Sequence, residues 1–233
     1  MHHVVVERWS RGSSPLHARD PLAKLAALLA FLIAVSTTPP RAQIAFAGYA
    51  ALIAAAMAGS RLPLGGLVRR AALVLPFSAT FAFITWLSGD SERALALAEK
   101  SFLSGLAALL LIATTPLTPL LAALESLRVP RLLILVIQFM YRYLFVISEQ
   151  AQHMRLAAQS RRAAGGLGFT AAAGALGVLF ARSWERADGI YRAMLARGFT
   201  GRFSQPQRPH LHLADAAFLA AVVAACLAIR LVA

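Results

Sequence analysis

Apolar runs close to the length of a bilayer crossing, separated by loops of alternating charge, leave this chain few folds to choose from. A hydrocarbon core of about 30 Å takes roughly 20 helical residues, with about 17 as the lower limit. Four runs before residue 116 approach that length: Leu22–Val35 with its flanks, Ile44–Ala58, Ala71–Leu87, and Phe102–Ala113 with its flanks. A fifth, Ala214–Val232, follows after a long polar interval. Glu99 and Lys100 bound the fourth run on one side and Pro116 on the other. The first run lies behind Asp20-Pro21 and is followed by several others, so it reads as a retained span rather than a cleaved leader. Composition agrees, since 14% of the 233 residues are charged, against about 25% in soluble proteins. The fold class is therefore all-α integral membrane, with about five transmembrane helices.

Loop charge orients those helices. The chain carries 23 basic and 10 acidic residues, a balance of +13. In a soluble protein that excess would point to nucleic acid, but here the arginines cluster between the apolar runs, as the positive-inside rule requires. Residues 1–21 hold Arg8, Arg11 and Arg19, whereas the loop "TTPPRAQ" holds only Arg41. "GSRLPLGGLVRR" holds Arg61, Arg69 and Arg70, and "SGDSERALALAEK" has three acids against two bases. Residues 116–213 then carry twelve arginines and four acids. The alternation predicts a cytoplasmic N-terminus, with lipid as the surround and no nucleic-acid partner; the membrane expected is the bacterial cytoplasmic (inner) one, as the resemblance given below implies. Three regions result: 1–115, an N-terminal tail with helices one to four; 116–213, a cytoplasmic helical region; and 214–233, the fifth span.

The arginine-rich region resolves into about three helices. "LLILVIQFMYRYLFVI", Leu132–Ile147, has the look of a further span. Crossing there would strand the most basic part of the chain outside and put Arg142 deep in the apolar stretch, at a cost of at least a few kcal/mol. The expectation is one long helix over Arg131–Ala163, apolar at its start and polar at its end, lying along or beneath the membrane. Pro130 marks its start and Gly165-Gly166 its stop. A second helix runs from about Thr170 to Arg197, with Leu176, Phe180, Trp184, Ala187, Tyr191 and Met194 on one face. Asp188 and Arg192 fall four apart in the favourable acid-first order. A short helix precedes both, with Thr118 as N-cap and Pro119 as its first residue. These three form a cytoplasmic or interfacial layer.

Chemistry-bearing constellations are scarce. There is no phosphate loop with its lysine and no His-Glu-x-x-His zinc motif, and no Asp, Glu or His sits centrally in a predicted span. Cys226 is alone in an apolar run, which excludes an internal disulfide. His2, His3 and His17 read as a polar tail, His153 as solvated, and His210 and His212 as a juxtamembrane loop, since a spacing of two cannot share a helical face. No catalytic residue and no metal ligand set is expected. A self-contained secondary transporter of a small solute is the rival reading, but it calls for polar groups on broken helices at the midplane. An intramembrane enzyme would need a nucleophile and base within the spans.

The arginines at helix ends remain. Arg161-Arg162 close the long helix and Arg197 the second, where a cation is stabilised by the helix dipole and Gly198 is an ordinary left-handed cap. Exposed arginines at two such ends are equally good anchors for carboxylates of a partner. Three pieces of sequence go further. "SPLHARDPLAKL" (Ser14–Leu25), with Asp20, Pro21 and Lys24, "AQSRRAAG" (Ala158–Gly165) and "YRAMLARGF" (Tyr191–Phe199), in that order over most of the chain, resemble the transmembrane coupling subunit of energy-coupling factor transporters, within it the cobalt-type CbiQ family. The last piece holds an intact Ala196-Arg197-Gly198 motif. The first motif departs from the family pattern, reading Arg161-Arg162-Ala163 with the glycine displaced to Gly165.

The resemblance implies a scaffold rather than an enzyme. It implies that Arg161 or Arg162, with Ala196, Arg197 and Gly198, dock on two ABC-type ATPase subunits that bind the ATP. It implies further that a separate substrate-binding membrane subunit, and not this chain, ligates the transported Co2+ or Ni2+, so that this chain itself binds no cofactor.

Overall fold

The computed structural model describes residues 9–10, 12–160, 169–201 and 212–232, and it is helical throughout, without strands among the described residues. The chain divides into two compact units, Met1–Arg128 with Arg208–Ala233, and Val129–Gln207.

The first unit holds α1 (Pro21–Thr37), α2 (Gln43–Ser60), α3 (Leu64–Ala71), α4 (Leu75–Leu87), α5 (Ser91–Thr114), α6 (Leu117–Ser126) and α9 (Leu213–Val232). The second holds α7 (Arg131–Ser160) and α8 (Phe169–Ala196). By length and composition α2, α5, α7 and α9 can each cross a membrane, and α3 with α4 adds a crossing if that pair, bent by 49°, is one span. At 17 residues, α1 sits at the lower limit of about 17 for a crossing.

Several sequence expectations shift. The fourth apolar run does not stop at Glu99 and Lys100; α5 starts eight residues earlier, at Ser91. It is capped there by Asp90, whose carboxylate accepts the Arg93 N–H at 3.1 Å. Lys100 is accommodated inside the helix because it finds partners. Its Nζ donates to the Ser36 and Thr38 carbonyls at 2.9 and 2.7 Å, which are left free at the end of α1. The third run is interrupted by a 3-10 turn, Ala72–Val74, and its preceding "loop" containing Gly65-Gly66 is the helix α3. The short helix α6 begins at Leu117 rather than Pro119, behind Pro116 instead of a Thr118 cap. Thr115 is extended (φ −136°, ψ 117°), as a residue before proline prefers. That one dipeptide ends α5 and starts α6. By contact α6 packs on α1, burying Leu121 and Ala123.

Hydrogen bonds fix the helix directions in this unit. The starts of α1 and α9 meet where the Asp20 N–H donates to Asp215 Oδ1 at 3.1 Å, and their ends meet where Arg230 bonds Thr37. The two helices are therefore parallel. Lys24 at the start of α1 reaches Thr114 at the end of α5, while Lys100 reaches the end of α1, so α1 and α5 are antiparallel. One end of the unit gathers Asp20, Lys24, Thr115 and Asp215, and the other Thr37, Glu92, Lys100 and Arg230. The core between them holds Phe31, Val35, Phe46, Tyr49, Ile53 and Leu106. Phe31 meets Tyr49 edge-on at 5.7 Å, and the buried Tyr49 hydroxyl bonds Thr38 Oγ1 at 3.3 Å. Gly48 lets α9 come close, since a Cβ there would stand 3.0 Å from Ile229 Cγ2.

Candidate docking end and polar anchor

The N-terminal stretch builds an anchor. Asp20 caps α1, its Oδ1 accepting the Leu22 N–H at 2.7 Å, and Pro21 occupies the first turn, where its missing N–H costs nothing. Lys24 is buried at 6% exposure. A buried ammonium needs a partner for each of its three donors. It has them: the His17 carbonyl at 3.2 Å, the Thr114 carbonyl at 3.1 Å and Thr115 Oγ1 at 3.2 Å. The Thr114 carbonyl lies in the last turn of α5, where no intrahelical donor exists for it. Asp215, also buried, accepts the His212 N–H on Oδ2 at 3.1 Å in addition to Asp20.

His17 is not a loose tail residue. Its ring is held on both sides, by Ser14 Oγ at 2.7 Å and by the Trp9 carbonyl at 2.9 Å. Trp9 in turn lies under the Arg70 guanidinium, 4.6 Å from its ring centroid, and packs against Gly66 of α3. The motif residues Asp20, Pro21 and Lys24 thus tie together α1, α5 and α9, with Trp9 joining α3 to the same end. Sequence reasoning picked out those three but missed Thr114, Thr115, His17 and Asp215. Only Asp215 left a sequence trace, an acid in the first turn of an otherwise apolar run.

The second site is the end of α8. The Gly198 N–H donates to the Leu195 carbonyl at 3.0 Å and the Phe199 N–H to the Met194 carbonyl at 3.0 Å, the paired bonds of a Schellman cap. The cap turns on Gly198 at φ 74°, a region that costs any residue with a Cβ. Ala196 is the final helical residue. Arg197, one step beyond it, is exposed and makes no side-chain hydrogen bond or ion pair among the described residues. One turn back, Arg192 is held by Asp188 at 2.7 Å, in the order the sequence predicted. Arg161 and Arg162 lie outside the described residues, as does Gly165.

Between α7 and α8 the second unit has an apolar groove of about 630 Å³. Ala187, Tyr191 and Met194 of the predicted α8 stripe line it. Leu176, Phe180 and Trp184, at the other end of that stripe, remain 66–71% exposed. No cluster of three or more His, Cys, Asp or Glu residues able to hold a metal occurs among the described residues.

The model of the CbiQ family, described as cobalt transport protein, matches residues 12–210, a span that takes in Asp20, Pro21, Lys24, Thr114, Thr115 and the α8 end, with Asp215 just beyond it. The chain belongs to the CbiQ cobalt transport protein family. Among curated relatives, this CbiQ-family chain is 33% identical over 103 residues to an uncharacterized protein of Methanocaldococcus jannaschii, covering 43% of this chain and 38% of the relative. A second uncharacterized protein of that organism is 30% identical over 116 residues, 48% of this chain and 39% of the relative. A protein of Methanocorpusculum labreanum described as a fused cobalt transport protein CbiMQ is 30% identical over 132 residues, 54% of this chain and 22% of the relative. The chain thus spans at most 39% of the length of these relatives. It is a multi-pass membrane protein of a cobalt transport family.

Proposed function

We propose that this chain is the transmembrane scaffold of an energy-coupling factor transporter for cobalt or nickel. In this reading two ABC-type ATPase subunits dock on its helix ends, and a separate membrane subunit captures the ion. The observation that carries the reading is the α8 end, where a Schellman cap holds Arg197 exposed and, among the described residues, without a side-chain partner. Such an arginine offers a fixed two-pronged donor to a partner's carboxylate. The relative whose description fuses CbiM with CbiQ supports a membrane partner working beside this subunit. The chain itself supplies no catalytic group and binds neither the ATP nor the ion.

Orientation follows from charge and from helix parity. The Lys24 end of the first unit carries Arg19, Lys24, Arg61, Arg69 and Arg70, and the other end Arg41, Arg93, Lys100 and Arg230; the small excess of basic residues favours the Lys24 end as the cytoplasmic one. Thr115 and Asp215 both lie at that end, tied to it through Lys24 and Asp20, so the segment between them crosses the membrane an even number of times. A crossing by α7 would then require one by α8, burying Arg182, Glu185, Arg186, Asp188 and Arg192. A single arginine at the bilayer centre costs at least about 2.5 kcal/mol, which supports reading α7 and α8 as helices that do not span, with Arg197 within reach of the ATPases. Closure of the ATPases on ATP would draw the docked helix ends together and shift the helix pair between two arrangements, reorienting the substrate subunit.

The test is affinity purification from mild detergent, comparing the parent chain with Arg197→Glu. Two ATPase copies and a small membrane protein should accompany the parent chain, and the charge reversal should release the ATPases alone. Co-purification unchanged by the reversal would reduce Arg197 to a helix cap and remove the main support for the reading.

A further inference from the structure

We propose that the groove between α7 and α8 is a binding site for an anionic phospholipid, with one acyl chain along its floor and the headgroup phosphate on Arg186. Three observations carry this. The floor is a continuous apolar stripe: Leu132, Leu135, Phe139 and Tyr143 recur at helical spacing on α7, facing Ile190 and Met194 of α8. It is open, since Leu132 is 71% exposed and Met140, also lining it, 67%. Its charged lining is of one sign only. Arg131 and Arg186 border it and no carboxylate does. Glu149 and Glu185 are outside the lining, and Asp188 is engaged by Arg192 at 2.7 Å. Arg186 is exposed and makes no ion pair among the described residues.

An apolar trough bordered by guanidinium groups matches a ligand with a hydrocarbon tail and a phosphate head, for which arginine supplies paired donors. Tyr143 and Tyr191 line the same groove, and tyrosines favour the headgroup level of a bilayer. The inference does not depend on the docking role of Arg197, which lies outside the groove lining.

The test uses the full chain in phosphatidylcholine nanodiscs doped with phosphatidylglycerol bearing a photoactivatable diazirine in one acyl chain. Adducts mapped by peptide mass spectrometry should concentrate on residues 132–143 and 190–194. They should exceed those from a phosphatidylcholine probe of the same tail by about fivefold or more. Arg186→Glu should bring labelling down to the phosphatidylcholine level, whereas Arg182→Glu, one turn away and outside the lining, should not. Leu135→Trp, which fills the floor, should lower labelling by both probes. Equal labelling by the two headgroups, or indifference to Arg186→Glu, would overturn the site. Adducts confined to α4, where Phe77, Phe81, Phe83 and Trp86 are exposed, would do the same. So would loss of lipid adducts, with protein crosslinks from Met140 in their place, once partner subunits are bound; the groove would then be a subunit interface.

Discussion

Replacing Lys24 with methionine keeps the length of the side chain and removes its three donors. The Thr114 carbonyl, in the last turn of α5, and the His17 carbonyl are then left without the ammonium, and Thr115 Oγ1 loses its donor as well. A buried acceptor stranded in this way costs about 1–3 kcal/mol. The threonine hydroxyl can turn to another partner, so two carbonyls set the scale, about 2–6 kcal/mol. Relief of the lysine's own desolvation and burial of the methionine chain offset part of that, leaving a net loss of about 2–4 kcal/mol. For a chain of this size each kcal/mol moves Tm by about 2–4 °C, so the midpoint should fall by about 5–12 °C. Thermal unfolding in a fixed detergent, followed by aggregation or tryptophan emission, reads this directly. A double-mutant cycle with Thr115→Val sharpens it, because that change should be costly in the parent chain and nearly silent once Lys24→Met is in place. A midpoint within about 2 °C of the parent would show that Lys24 is not the tie between α1 and α5 that its hydrogen bonds describe.

Two further substitutions probe the helix contacts. Gly198→Ala forces a Cβ into φ 74°, which should cost about 1–2 kcal/mol and speed amide exchange in the last turn of α8, whereas Gly198→Asn should be milder. Gly48→Val would drive a branched side chain into Ile229, already 3.0 Å from a Cβ at that position. It should lower Tm by several degrees, as overpacking of about 1–3 kcal/mol implies, and paired Ile229→Ala should recover part of the loss.

The membrane class, the helical content and the family motifs were legible in the chain because each depends on local pattern. Apolar runs of spanning length report themselves, and so does a cap such as Ala196-Arg197-Gly198-Phe199, whose geometry is set by one glycine and its neighbours. The acid-first pair Asp188 and Arg192 was legible for the same reason, since its spacing alone puts both on one helix face. Element boundaries failed where a distant partner intervened. Glu99 and Lys100 look like a helix border until Lys100 meets the free carbonyls at the end of α1. Leu176, Phe180 and Trp184 fit a buried stripe by period, yet period says nothing about whether a neighbour arrives to cover it.

The role of the N-terminal motif belonged wholly to tertiary structure. In the sequence Asp20, Pro21 and Lys24 are a helix start with one lysine in its first turn. A buried ammonium, however, is tolerable only with all its donors met, and two of the three acceptors of Lys24 lie about ninety residues away. Asp215, nearly two hundred residues on, completes the same anchor through the Asp20 backbone. Local pattern therefore determined most of the helices, though not α3, and the membrane class. Long-range hydrogen bonding, driven by the cost of leaving a buried charge or carbonyl unpaired, decided which helix ends are joined, and with them the parallel run of α1 and α9.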